Sequence, residues 1–346
     1  MFVTGNDPAE QNTHTKEAIA MKTTANSRQS ARTATRKLMF QNLEARSMMA
    51  GDVTAAVVGG DLVLTGDNQD NAIVVKQFLG NQFLVAGLNA DGSPTTINGQ
   101  ANQLFTFNGD LRVQLNGGDD VITLDKPQLL NPIFGVSTTK FPGAVSVEGN
   151  NGNDKLILRD VSIRETLDVD MGNGDDLVQG TNVEIGLLDG NATNLNGNVT
   201  ILMGEDEDTV NFSQLDVDGL FQVDLGSEDN DDEVFLMQDS TLNAGLLVAT
   251  GRGDDSVTLR NSKVETVVVV TDDGEDVVNL EFVTVDQIFA DLGDGDDVLN
   301  TRRLIARRMD AIGGDGDDEF TFSIAIRELN KITDNRIFEF EVIRPR

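Results

Sequence analysis

At 346 residues, 39% of them hydrophobic, the chain is long enough for one large domain or two ordinary ones with a buried core, and it is expected to fold. Its charge is lopsided: residues 1–50 carry seven Lys or Arg against four Asp or Glu, the rest carry 19 against 54, and the resulting +3 and −35 sum to the net −32. Such a body argues against nucleic acid and anionic lipid as partners and for cations or basic surfaces, while the lack of Cys, Trp and Tyr, with His14 the only histidine, removes disulfides, thiolate metal sites and the usual general base.

Residues 1–50 read as a basic leader, disordered or removed, and translation starts at Met1 or at Met21, which is followed by Lys22 in the same style. The leader ends in RKLMFQNLEARSMMA, Arg36 to Ala50. This stretch resembles the LEPR-XLL-like export segment at the N-terminus of many planctomycete exported or surface proteins, with its basic residue, F-x-x-LE-x-R core and closing LLA-like step. It departs from that pattern at Ala45, where Pro is common, and at Met48 and Met49, where Leu is common. The resemblance implies a secreted or cell-surface protein. An ordinary secretory signal would need a longer apolar region than this one has. No run approaches eighteen apolar residues, so no transmembrane helix is expected.

From Val53 to Asp110, short alternating runs such as Asp61 to Thr65, Ala72 to Val75 and Gln82 to Ala86 are divided by Gly-Gly, Gly-Asp and Asp-Gly turns, which are hairpin signals. Residues 51–110 are expected to form a β-cap over the first coil of a repeat array, because an uncovered coil would expose an unpaired sheet edge and an open core. Asp70 sits there in a degenerate copy, TGDNQDNAIVV, of the motif that dominates the remainder.

Residues 111–346 are expected to be that array. Its clearest motif is GGDGDDEFT, Gly313 to Thr321, whose sixth residue Asp318 has counterparts at Asp297, Asp276, Asp255, Asp232, Asp208, Asp176, Asp154 and Asp120, spaced 21, 21, 21, 23, 24, 32, 22 and 34 residues apart. With these aspartates in one column, the second residue after each is apolar in all nine copies and the fourth in seven, while the residues nine and seven before it are apolar throughout. A weaker pair stands seven and nine residues after, as in Val161 and Ile163. Period two on both sides of a glycine turn means strands whose alternate side chains face one core. The expected fold is therefore all-β: a right-handed parallel β-helix of about nine coils with an N-terminal β-hairpin cap. Residues 125–143 and 189–197 are expected to be extruded loops, and Ile324 to Val342, with Phe338 and Phe340, a closing cap. A two-sheet sandwich also has short strands at regular spacing, but it has no reason to repeat one turn nine times.

The turn itself carries the chemistry. Glycine stands two residues before the aspartate in seven of nine copies, where a left-handed backbone is needed, and the residue just before is always Asp, Glu or Asn. Stacking generates two rows of oxygen ligands. Unit negative charges about 4.8 Å apart repel by about 0.9 kcal/mol even in water and by several at an effective dielectric constant near 20, so something must neutralise the rows, and Ca2+, which takes six to eight carboxylate and carbonyl oxygens, is the natural candidate. GGDGDDEFT also matches the GGxGxDx-hydrophobic-x nonapeptide of hemolysin-type (RTX-like) calcium-binding repeats, and LGDGDDVLN, Leu292 to Asn300, matches except for its first Gly. That resemblance implies calcium ligands at Asp120, Asp176, Asp255, Asp276, Asp297 and Asp318, supported by Asp119, Asp175, Asp254, Glu275, Asp296 and Asp317. The family places two nonapeptides in each coil where this chain has one per 21 residues, and the repeats lacking the glycine, at Asp208 and Asp232, are those expected to hold no ion. The competing reading is that each Asp caps its own turn by accepting backbone N–H bonds.

Arg159, Arg260 and Arg302 recur five residues after the aspartate, and Arg164 and Arg307 ten after it. A patch for an acidic polysaccharide and surface arginines paired with acidic neighbours both fit that recurrence. Carboxylate pairs occur all along the chain, so none stands out as catalytic. The reading is an exported, calcium-stabilised, non-enzymatic structural or adhesion-type protein meeting cell-surface or matrix components; the alternative is a polysaccharide-active β-helix enzyme of lyase or hydrolase type.

Overall fold

The computed structural model describes residues 51–89, 94–126, 138–186, 197–226 and 233–322, and beyond them the backbone of strands Ile324–Ala325, Glu328–Leu329, Lys331–Phe338 and Val342–Pro345. The leader, most of both expected loops, Asp232, and the side chains of the expected closing cap lie outside the described residues. All regular structure among the described residues is strand, most of it paired in parallel.

One repeat shows the plan. Val298–Arg302 leaves Asp297, the chain bends at Arg303, Ile305–Asp315 comes next, and the glycine turn leads to Asp318 and the strand Glu319–Phe322. Val298–Arg302 lies in parallel between Val277–Glu281 and Glu319–Phe322, and Ile305–Asp315 between Thr284–Asp294 and Lys331–Phe338, so each repeat is laid on the one 21 residues earlier. The same pairing runs back without a break to Leu111–Gly117 and Val121–Asp125. Alternation puts Leu299, Thr301, Leu304, Ala306, Met309 and Ala311 inside, and the apolar residues at these positions along the stack join one continuous core, with the buried Ser240 and Ser262 standing where Leu304 does in two repeats. Burying a Val or Leu side chain contributes about 1.5–3 kcal/mol. A single repeat covers neither end of its own core, so this stabilisation is realised only on stacking.

The bend six residues after Asp154, Asp176, Asp208, Glu233, Asp255, Asp276 and Asp297 is a second corner, held by one left-handed residue: Asp160, Asn182, Gln214, Asp239, Asn261, Phe282 and Arg303 all have φ between 49° and 58°. Asn and Asp tolerate that conformation best, and they also tie neighbouring corners together, as in the Asn182 Nδ2 bond to Asp160 Oδ1 at 2.7 Å.

At the N-terminal end the antiparallel hairpins each lend one strand to the parallel stack. Asp52–Val58 pairs antiparallel with Asp61–Thr65 across Gly59 and Gly60, both at positive φ as a tight hairpin turn requires. Asp61–Thr65 then runs parallel to Leu111–Gly117. Ala72–Leu79 pairs antiparallel with Gln82–Gly87 and parallel with Val121–Asp125. Phe83, Phe107 and Phe141 stack there, with ring centroids 4.6 and 5.4 Å apart.

One repeat departs from the sequence register. Glu233, not Asp232, heads the strand Val234–Gln238, and the buried side chains are Phe235 and Met237, with Val234 exposed. Phe235 pairs with Val210 and Val257, and Phe221, not Val223, is the partner of Val199. From Phe221 to Glu233 this repeat counts three residues more than its neighbour does from Leu246 to Asp255, and the Glu233 carboxylate accepts the Asp208 N–H as an aspartate does elsewhere in the row.

Candidate functional site

The two acidic rows lie side by side in the turn and meet opposite environments. The residues that open each strand, Asn71, Asp120, Asp154, Asp176, Asp208, Glu233, Asp255, Asp276, Asp297 and Asp318, are all at most 3% exposed. The residues just before them, among them Asp119, Asp175, Asp254, Glu275, Asp296 and Asp317, are exposed. The two members of each expected ligand pair are therefore held apart, one in the core and one in water. Among the described residues no three acidic side chains come together to hold a metal ion by themselves.

The buried row is a continuous chain of hydrogen bonds. The Asn71 N–H donates to Asp120 Oδ1 at 2.6 Å, Asp120 N–H to Asp154 Oδ1 at 2.8 Å, Asp154 N–H to Asp176 Oδ1 at 2.6 Å and Asp176 N–H to Asp208 Oδ1 at 2.8 Å. Asp208 N–H reaches Glu233 Oε2 at 2.8 Å, Glu233 N–H reaches Asp255 Oδ1 at 2.9 Å, and Asp255, Asp276 and Asp297 continue to Asp318 at 2.8, 2.8 and 2.9 Å. Each carboxylate thus caps the repeat before it and not its own turn, so the bond joins repeats. A buried N–H left without such an acceptor costs about 1–3 kcal/mol.

Only one oxygen of each group is used in this way. The second oxygen, Oδ2, of Asp154, Asp176, Asp208 and Asp297 is buried and accepts no hydrogen bond; the carboxyls of Asp120 and Asp276 also have the Asn71 and Thr271 side chains beside them. Burial is the largest cause of the outcome: it pushes Asp120, Asp208 and Asp276 up to about 8, Asp176 and Asp297 to about 7 and Asp154 to about 6, against the lowering effect of the N–H each one caps. Repulsion between neighbouring carboxylates adds to the rise but ranks below desolvation. The charge cost of the row is thus dominated by removal from water.

The exposed row is bonded in the opposite sense. Asp119 N–H donates back to Asp70 Oδ1 at 3.0 Å, Asn153 N–H to Asp119 Oδ1 at 3.0 Å, Glu275 N–H to Asp254 Oδ1 at 2.9 Å and Asp317 N–H to Asp296 Oδ1 at 2.9 Å. Asp175 accepts from Asn153 Nδ2 at 3.0 Å. Just before the exposed row the glycines stack in near contact: a Cβ on Gly274 or Gly295, both at φ 150°, would lie 1.7 Å from the carbonyl oxygen of the glycine beneath. That closeness is why the turn needs glycine.

Sequence reasoning missed Asn71, Glu233, Asp154 and Asp208 as members of the buried row on an equal footing with the six expected ligands. Asp154 and Asp208 were legible from the column alone, since glycine content does not decide which residue opens the strand. Of the arginines, Arg260 Nε bonds Glu281 at 2.9 Å and Arg307 clasps Asp286 through Nε and Nη2 at 2.7 and 2.8 Å. Arg302 lies 5.4 Å from the Phe282 ring centroid. The two ion pairs link acidic and basic neighbours one repeat apart.

Compared with known proteins, the chain matches no family model, no curated protein and no solved structure.

Proposed function

We propose that this chain is an exported, non-enzymatic structural or adhesion-type module of the cell surface or matrix, built as a right-handed parallel β-helix of about nine coils behind an N-terminal hairpin cap, and that Ca2+ is taken up along its buried aspartate row. The observation that carries the reading is the row of buried carboxylates along one edge of the stack, in which the Oδ2 atoms of Asp154, Asp176, Asp208 and Asp297 have no hydrogen-bond donor. A buried anionic oxygen with no donor requires a cation or a proton. Asp176 and Asp297 would each offer such an oxygen, Asp120 and Asp276 their buried carboxylates, and backbone carbonyls of the glycine turns would supply the rest of a mixed set of the kind Ca2+ accepts. The ion would add charge neutralisation to the repeat-to-repeat bonds already present. A structural role is supported by how the recurrent carboxylates are used: they hold one repeat to the next. Export rests on the resemblance of residues 36–50 to planctomycete leaders.

Protonation of the same oxygens is the second reading, favoured by their upward-shifted pKa values. Thermal unfolding of the full chain at pH 8.5 in calcium, magnesium and chelator separates the two. The calcium reading predicts a midpoint many degrees higher in calcium alone, through linkage to the folded state. Three coincident curves would sink it and leave a proton-neutralised row.

A further inference from the structure

Most of the second corners are built from residues suited to them. Asp160, Asn182, Asp239 and Asn261 have side chains that tolerate the left-handed bend, and Asn182 and Asn261 each bond the corner one repeat back. The last two corners depart from that rule. Phe282 has φ 58° and Arg303 φ 53°, a region that disfavours bulky side chains, and a phenyl ring cannot make the corner-to-corner bond. Phe282 is also 36% exposed, so burial in the core does not account for it. Around its ring stand two exposed arginines, with the guanidinium carbon of Arg302 5.4 Å and that of Arg303 5.0 Å from the ring centroid. The acidic groups nearby are already engaged: Glu281 accepts from Arg260 Nε at 2.9 Å, and Asp239 accepts from Asn261.

We infer that Phe282, Arg302 and Arg303 form a binding site for a single uronic acid residue of a polysaccharide. This names the partner class of the adhesion-type module proposed above and rests on that reading for its setting. A guanidinium fork matches a planar carboxylate, and the exposed part of the phenyl ring offers an apolar surface to the C–H face of the sugar. The strain at Phe282 is then the cost of presenting an aromatic side chain beside two cations. Net charge does not oppose the binding of one carboxylate there. Residues 51–301 carry ten Lys or Arg against 45 Asp or Glu, residues 302–346 nine against nine, so the whole excess of −35 belongs to the first set. Six residues of extended strand separate Asp276 from Phe282, about 20 Å, which exceeds two Debye lengths of about 8 Å at physiological salt. A charge-dense polymer lying along the corners would instead meet Asp239 and Asp160. The site is one sugar wide, and it selects chains whose uronates stand apart among neutral sugars.

The test is an NMR titration of the full chain with the methyl glycoside of galacturonic acid, following the Nε–H signals of Arg302 and Arg303. It is run at pH 6 in chelator, so that calcium neither bridges the sugar nor enters the result. Binding is expected with a Kd on the order of 1 mM, which many copies at a surface raise to adhesion. Methyl galactoside, the same ring without charge, should leave the signals in place. Arg302→Ala should weaken binding about tenfold, while Arg260→Ala, whose guanidinium serves Glu281, should leave it unchanged. Phe282→Asn should weaken it as much and yet raise the unfolding midpoint by about 1–2 °C, because Asn suits the corner. The proposal is overturned if the galacturonoside shifts nothing, if methyl galactoside shifts the same signals equally, or if galactose 6-sulfate binds more tightly. It is overturned equally if Phe282→Asn binds as the unmodified chain does or melts several degrees lower. None of these outcomes bears on the calcium dependence of unfolding, so the two readings fail separately.

Discussion

Glu275 and Asp276 are neighbours in one turn and carry the same functional group, yet they live in different solvents. Glu275 is exposed, and its N–H leans back on Asp254; Asp276 is fully buried, caps Asp255, and holds its second oxygen out of water beside Thr271. Period-two alternation alone creates the difference, because successive residues at a strand start face opposite sides of the sheet. The lesson is that an acidic motif repeated along a stack builds two unlike devices at once: a screened surface row and a desolvated internal one.

The most severe way to break both rows is to separate the turns. Gly295→Ala sets a Cβ 1.7 Å from the Gly274 carbonyl at φ 150° and is expected to cost about 3 kcal/mol or more in urea unfolding. Gly80→Ala, at a hairpin tip with φ 54° and nothing within 4 Å, should cost only about 1 kcal/mol.

The next test sharpens the comparison through pH. For the buried row the folded pKa lies above the unfolded value near 3.9, so the stability these groups permit is complete below that value and is lost as pH rises through about 6 to 8. Calcium-free protein should therefore melt lower at pH 8.5 than at pH 5, each such carboxyl contributing up to about 1.4 kcal/mol per pH unit between its two pKa values. Asp276→Asn keeps the Oδ1 acceptor for the Asp255 N–H and cannot ionise. This variant should gain about 1–3 kcal/mol over the unmodified chain at pH 8.5 in chelator. The gain should vanish at pH 4, and calcium should stabilise the variant less.

Asp276→Ala instead removes the cap from the Asp255 N–H and should cost about 1–3 kcal/mol at pH 5, where the charge relief is small. Glu275→Ala, the exposed neighbour, should leave the unfolding midpoint unchanged. Equal effects of these two alanine variants would contradict the division between the rows.

Much of the architecture was legible in the sequence. The 21-residue period, the apolar columns and the residue that opens each strand emerge from the aspartate alignment in every described repeat but one. That failure has a local cause: in Glu233-Val-Phe-Leu-Met237 four apolar residues stand in a row, so alternation gives no parity, and Asp232 looked as good an anchor as Glu233. The same slip hid the second corner. Asp160, Asn182 and Asn261 stand six residues after their aspartates, but Asp239 stands six after Glu233, and Phe282 and Arg303 are not residues that announce a left-handed bend. Which oxygen is capped, and by which repeat, was not legible, because it depends on the vertical offset between stacked turns, which no single repeat encodes.

The most direct measurement is of the buried carboxyls themselves, made on the aspartate carboxyl carbon resonances of the calcium-free full chain from pH 3 to 10. The account predicts a set of aspartates titrating at about 6 to 8. Asp276→Asn should delete one member of that set, and calcium should abolish its titration across this range. If every aspartate titrates below about pH 5, the second oxygens are solvated or bonded after all, and the reading of the turn as a desolvated, ion-accepting row fails.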